Sequence, residues 1–173
     1  MATDIISDIK ENPKLLFNVV EEGSVKELTN TLKKLGKLRN DDLKEVLVLL
    51  AEHKNEKVRY YAIKNLGKLS DINLLSFFYS KYKNESSTQL RREVVSSIGR
   101  LRNRKTIPLL KEIIKDNDPK VIMQAIRGLL VFKNDKDVNE ILLKMKDHPN
   151  EIIREVIEIE LLPENTDKRN VES

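Results

Sequence analysis

Neither cysteine nor tryptophan occurs among the 173 residues. The first absence excludes disulfides, thiolate nucleophiles and cysteine-ligated zinc or iron–sulfur centres; it fits a reducing compartment, with the cytoplasm the expected location. Glycine and proline contribute five residues each and histidine only two. With 35% of residues charged and so few breakers, the chain favours helices with solvated faces over a strand-and-turn protein. No uncharged apolar run approaches about eighteen residues, so no membrane helix is expected. Basic residues exceed acidic ones by 32 to 28, a net charge of +4. That excess is too small to diagnose a nucleic-acid binder, and the placement of the charges must decide.

What the chain does contain is a repeat. Gly36, Gly67 and Gly99 fall into one column at spacings of 31 and 32 residues, and the next step reaches Leu130. Leu35, Leu66, Ile98 and Leu129 precede that column; Val58, Leu90 and Val121 align earlier, as do Ala62, Val94 and Ala125. Spacings of four and eight residues between these columns put them on one helical face. Each such helix ends in a polar turn, "RNDD", "SDIN", "RNRK" or "KNDK", followed by a second amphipathic segment. The Asp and Asn of these turns suit helix caps.

The expected architecture is an all-α, right-handed solenoid of stacked antiparallel helix pairs. Its repeats span about 24–53, 54–85, 86–116 and 117–147, after a leading helical segment 4–22 and before a lone helix 150–162. One pair cannot bury its apolar stripes alone, and stacking closes the core. Residues 1–162 then form a single domain. The polar stretch 163–173 is expected to be a disordered tail, or a linker toward a further domain of a longer protein.

Residues 55–69, "NEKVRYYAIKNLGKL", carry the pattern D/N-x-x-V-R-x-x-A-x-x-x-L-G-x-L; 87–101 keep its Arg and Gly, and 118–132 keep its Asp-Pro start. In this the chain resembles the HEAT-repeat family, in a short form of about 31 residues rather than the usual 40–47 or so. The resemblance implies a binding surface more than a reaction. It also implies that Arg59 and Arg91 are structural, each guanidinium tying one repeat to loop acids or carbonyls of a neighbour, beside the structural glycines Gly36, Gly67 and Gly99.

No catalytic constellation is found. His53 and His148 lie in equivalent loops three units apart, roughly 30 Å at helix spacings of about 8–10 Å, and so cannot share a metal. Phosphate-cradling glycine loops and G-x-S-x-G or H-E-x-x-H motifs are absent. A non-enzyme without cofactor, metal or small-molecule substrate is therefore expected.

Two surface constellations remain. Lys33, Lys64 and Arg127 share one column, Lys37, Lys68 and Arg100 a second, and Arg39, Arg102 and Lys133 a third, with Arg104 and Lys105 extending one turn. Stacked, they would make a basic ridge able to track a phosphate backbone. Tyr60 and Tyr61 occupy columns expected to be exposed, and exposed tyrosines often anchor interfaces. The leading expectation is a scaffold that binds a protein partner through its second-helix face and the Tyr60/Tyr61 edge. The alternative is a DNA- or RNA-backbone-binding accessory domain, for example of a nucleic-acid-modifying enzyme such as a DNA methyltransferase.

Overall fold

A computed structural model describes residues 5–35 and 41–161, and every regular element among them is helical. Gly36, Lys37, Arg39 and the stretch 163–173, all named above, lie outside the described residues. Two short helices lead, α1 (Ile5–Glu11) and α2 (Leu15–Glu22), parted at Pro13. The first helices of successive units are α3 (Val25–Leu35), α5 (Glu56–Leu69), α7 (Thr88–Arg100) and α9 (Pro119–Leu130). The second helices are α4 (Lys44–Leu50), α6 (Leu75–Asn84), α8 (Ile107–Ile113) and α10 (Lys136–Lys144), and α11 (Glu151–Leu161), a further first helix, is the last element among the described residues.

The caps explain why the helices start where they do. Asn55 accepts from the amides of Lys57 and Val58, Ser87 from Leu90, and Asp118 from Lys120 and Val121, so each side chain satisfies amides left open by the first turn. Ser24 and Glu27 form a reciprocal box at α3: the Glu27 carboxylate accepts from the Ser24 amide at 2.8 Å and Ser24 Oγ from the Glu27 amide at 3.2 Å. The Ser24 amide and hydroxyl, both donating to the Glu27 carboxylate, hold it below the usual carboxylate range.

One continuous core runs through the stack, from Ile9 and Leu16 through Leu66, Phe78, Ile98 and Ile126 to Ile157. The first helices supply it most densely, and α3, α5, α7 and α9 pack side by side. Their backbones come close because the side chains between them are small. A Cβ on Gly67 would stand 2.3 Å from Ser97 Oγ, and one on Gly99 would stand 3.2 Å from the Cα of Gly128. Buried side chains also tie the layer together. Asn65 Nδ2 donates to the Leu32 carbonyl at 2.7 Å, and Ser97 Oγ, one unit later in the same column, donates to the Ile63 carbonyl at 3.4 Å.

The second helices are joined instead by long polar side chains. Lys81 reaches Glu52 at 2.8 Å, Tyr79 Oη and Lys83 Nζ both reach Glu112, at 2.5 and 2.6 Å, and Tyr82 Oη reaches Asp116 at 2.8 Å. Burial and the adjacent Asp116 carboxylate push the Tyr82 hydroxyl well above its ordinary range. A stack with one layer closely packed and the other spaced by long side chains bends toward the close layer. The first helices therefore line the inner side of the curve, the side on which solenoids form extended binding surfaces.

Candidate functional site

Between units, the chain repeats a small device that holds the first helices in register. His53, Glu85, Asp116 and His148 occupy one loop column, and each accepts a hydrogen bond from the backbone amide two residues on, at Asn55, Ser87, Asp118 and Asn150. Arg59 spans two of these loops. Its Nη1 donates to the carbonyls of His53 and Lys54 at 3.0 and 3.1 Å, and its Nε and Nη2 face the Glu85 carboxylate at 3.3 and 3.4 Å. Arg91 reaches Asp116 more loosely, at 3.7 Å, and its own Nε is buried without a hydrogen-bond partner among the described residues. Arg154, in α11, repeats the carbonyl half of the device on His148 and Pro149 at 2.8 and 3.0 Å.

The residues in the arginine column and in the following loop are matched. Where the column holds Arg59 or Arg91, the next loop holds an acid, Glu85 or Asp116. Where it holds a buried aliphatic residue, Leu28 or Ile122, the next loop holds His53 or His148. A carboxylate is used only where a guanidinium can meet it, as the cost of burying an unpaired charge requires.

With the first helices so fixed, their inner faces form a groove. One segment, of about 870 Å³, is lined by α3 and α5 and includes Lys26, Asn30, Lys33, Lys57, Tyr60 and Tyr61. A second, of about 670 Å³, continues over α7 and α9 to α11. Both segments share Tyr60 and Gln89, so the groove crosses the stack without a break.

Tyr60 and Tyr61 are half-buried in this groove, not exposed on an edge, and Met123, in the column of Tyr60, is buried at 8% exposure. The expectation of open columns fails because both rings pack against the core and against each other instead of projecting into solvent. The two rings pack edge to face at 5.2 Å, and Lys64 Nζ lies 5.8 Å from the Tyr60 centroid. Burial, then the Glu93 carboxylate, raise the Tyr60 hydroxyl above its ordinary range.

The basic ridge at the turns is only partly free. Arg100 is engaged by Glu93 and Arg104 by Asp135, Lys133 donates to the Glu160 carbonyl at 3.2 Å, and Lys68 donates to Asn65 at 3.4 Å. Burial, with Lys64 and Arg100 close by, lowers the Lys68 ammonium from its usual range. Lys33, Arg102, Lys105 and Arg127 are exposed and make no polar side-chain contact among the described residues.

Another row was not singled out in the sequence. Lys26, Lys57 and Lys120 share a column with Gln89, at the N-terminal end of the first helices, and all four line the groove. The readable signal was their position seven residues before Lys33, Lys64 and Arg127, two helical turns along the same face.

A stack of capped helix pairs with a groove along its closely packed layer defines a helical-repeat scaffold. The family model for HEAT repeats matches residues 75–161, half of the chain, and the protein belongs to that family. No curated protein matches it in sequence. Among solved structures, it resembles a chain in the complex of CpcE and CpcF of phycocyanin lyase from Nostoc sp. PCC7120, with a TM-score of 0.69 and 16% identity over 89% of this chain and 98% of that one. It also resembles the designed armadillo repeat protein YIII(Dq.V1)4CPAF, solved in complex with the peptide (KR)4, with a TM-score of 0.60 and 18% identity over 90% of this chain and 84% of that one. At these identities the likeness is one of fold. Among the described residues no helix is long and apolar enough to cross a membrane.

Proposed function

We propose that the protein is a non-catalytic scaffold that binds a protein partner in the groove along its first helices. The observation that carries this reading is the unequal use of polar groups on the two faces. On the second helices the tyrosines and several charged side chains link one unit to the next, whereas Asn30, Gln89 and Gln124 in the groove have side-chain amides with no partner among the described residues. Unused amides in a concave surface are suited to a bound polypeptide, whose backbone offers donors and acceptors at regular intervals. The related folds are themselves found with a protein and with a peptide, which supports the same reading.

A second reading, nucleic-acid binding at the turn ridge, is favoured by Arg102 and Lys105, which are exposed and have no polar side-chain partner among the described residues. It is weakened by Asp135, which engages Arg104 beside them. Site-specific photo-crosslinking in the producing cell separates the readings. A photoreactive residue at Tyr61 should give protein adducts, and the same residue at Ser76 on the second-helix face should give none. Equal protein adducts at both positions would remove the groove as the working surface. Nuclease-sensitive adducts from a probe at Lys105 would favour the ridge.

A further inference from the structure

We propose that the groove takes an extended acidic segment of the partner, a deduction that rests on the groove being the working surface. Cations line it at two levels. Lys26, Lys57 and Lys120 form one row, and Lys33 lies two turns further along α3, in the repeat column that holds Lys64 and Arg127 in later units. Members of a pair such as Lys57 and Lys64 stand seven residues apart on one helix, about 10 Å along its axis. That width admits one extended chain with its side chains directed to both rims. A DNA duplex is too broad to enter.

The charges in the groove are unequally committed. Its acids already have work: Glu93 engages Arg100, Glu56 accepts from Ser87 Oγ at 2.8 Å, and Asp118 caps α9. Lys26, Lys33, Lys57 and Lys120 are exposed and have no polar side-chain partner among the described residues. Across the two segments Lys26, Lys33, Lys57, Arg92 and Lys120 face Glu56, Glu93 and Asp118, so the field available to a ligand is positive, although the whole chain is almost balanced.

The floor discriminates between anionic polymers. Single-stranded nucleic acid gains affinity by stacking bases on open aromatic faces. Tyr60 and Tyr61 pack on each other and Lys64 lies over the Tyr60 ring, so the rings are already occupied. Amides at Asn30, Gln89 and Gln124 can instead bond an extended backbone. Units about 10 Å apart and a strand rise of about 3.3 Å give about three ligand residues per unit, and about ten from Lys26 to Lys120. Carboxylates recurring every two or three residues would meet successive cations.

The probe is a fluorescein-labelled peptide of about ten residues, alternating glutamate and serine, followed by anisotropy at low and physiological salt. Saturable binding that weakens with salt is expected, with no binding of a lysine–serine peptide of equal length. Lys57→Glu with Lys120→Glu should weaken binding at least about tenfold, whereas Lys136→Glu with Lys144→Glu, an equal charge change on exposed α10 positions, should leave it within about twofold. Thermal unfolding of both double variants checks that they fold. Absence of binding at low salt, equal loss in both variants, or tighter binding of oligothymidylate that displaces the peptide would each overturn the proposal. Protein adducts at Tyr61 together with failure of the acidic peptide would sink the acidic class alone; absence of adducts at Tyr61 would remove the groove reading beneath it.

Discussion

Replacing Arg59 with isoleucine should destabilise the protein by about 3 kcal/mol, and adding Glu85→His should recover more than half of that loss. The single change removes two hydrogen bonds to loop carbonyls and leaves the Glu85 carboxylate, whose side chain is only 7% exposed, without its cation. Removing one partner of a buried pair costs about 3–5 kcal/mol; the 20% exposure of the Arg59 side chain places the effect at the lower end. The second change recreates what the chain already uses elsewhere. Ile122 is followed by His148, whose Nδ1 accepts from the Asn150 amide at 3.0 Å, as Glu85 accepts from Ser87. Urea unfolding of wild type, both single variants and the double variant gives the coupling energy. Additive losses would show that the matched columns are coincidental.

Gly67→Ala should cost about 2 kcal/mol although alanine is the better helix former by about 1 kcal/mol. The added methyl would lie 2.3 Å from Ser97 Oγ, 2.7 Å from its Cβ and 3.1 Å from its Cα. Ser97 is completely buried, and the Cα is backbone, so the two helices must separate. Ser97→Gly in the Gly67→Ala background should restore at least half of the stability, because it removes the Oγ and Cβ that the new methyl meets and leaves only the 3.1 Å approach to the Cα. Thermal unfolding measures both variants. A neutral or stabilising Gly67→Ala would mean that the first layer is not closely packed there, and the inward curvature would lose its physical basis.

The repeat was legible because its core positions are chemically uniform. Ala62 and Ala125, or Leu66 and Leu129, can change little without leaving a void or a clash, so the spacing survives in the letters. Arg59 was legible for the same reason, since it lies inside the best-kept segment. Arg154 was not, because its helix lacks the closing Leu-Gly that marks the others. The pairing of arginine with an acid in the next loop was also missed. It relates residues about 26 positions apart, and it shows only when the two aliphatic–histidine units are set beside it.

The groove was harder to read for another physical reason. Burial on a curved stack depends on which layer is compressed, and nothing local to Tyr60 or Tyr61 carries that information. The lysine row was hidden by Gln89, which interrupts it in the third unit. Several turn charges proved to be spent internally, among them Arg104 on Asp135 and Lys44 on Asp71 at 2.8 Å. Surface pairs of this kind contribute little to stability, yet they remove cations from the surface a ligand would meet.

The most direct test of the groove as the working surface is amide chemical-shift mapping of the isotope-labelled chain during titration with the glutamate–serine peptide. The largest shifts should fall at 26–33, 57–64, 89–96 and 120–127, in a band that crosses every first helix of the four units. Shifts concentrated at 75–84 and 107–113 on the second helices, or confined to the turns at 102–105, would contradict it.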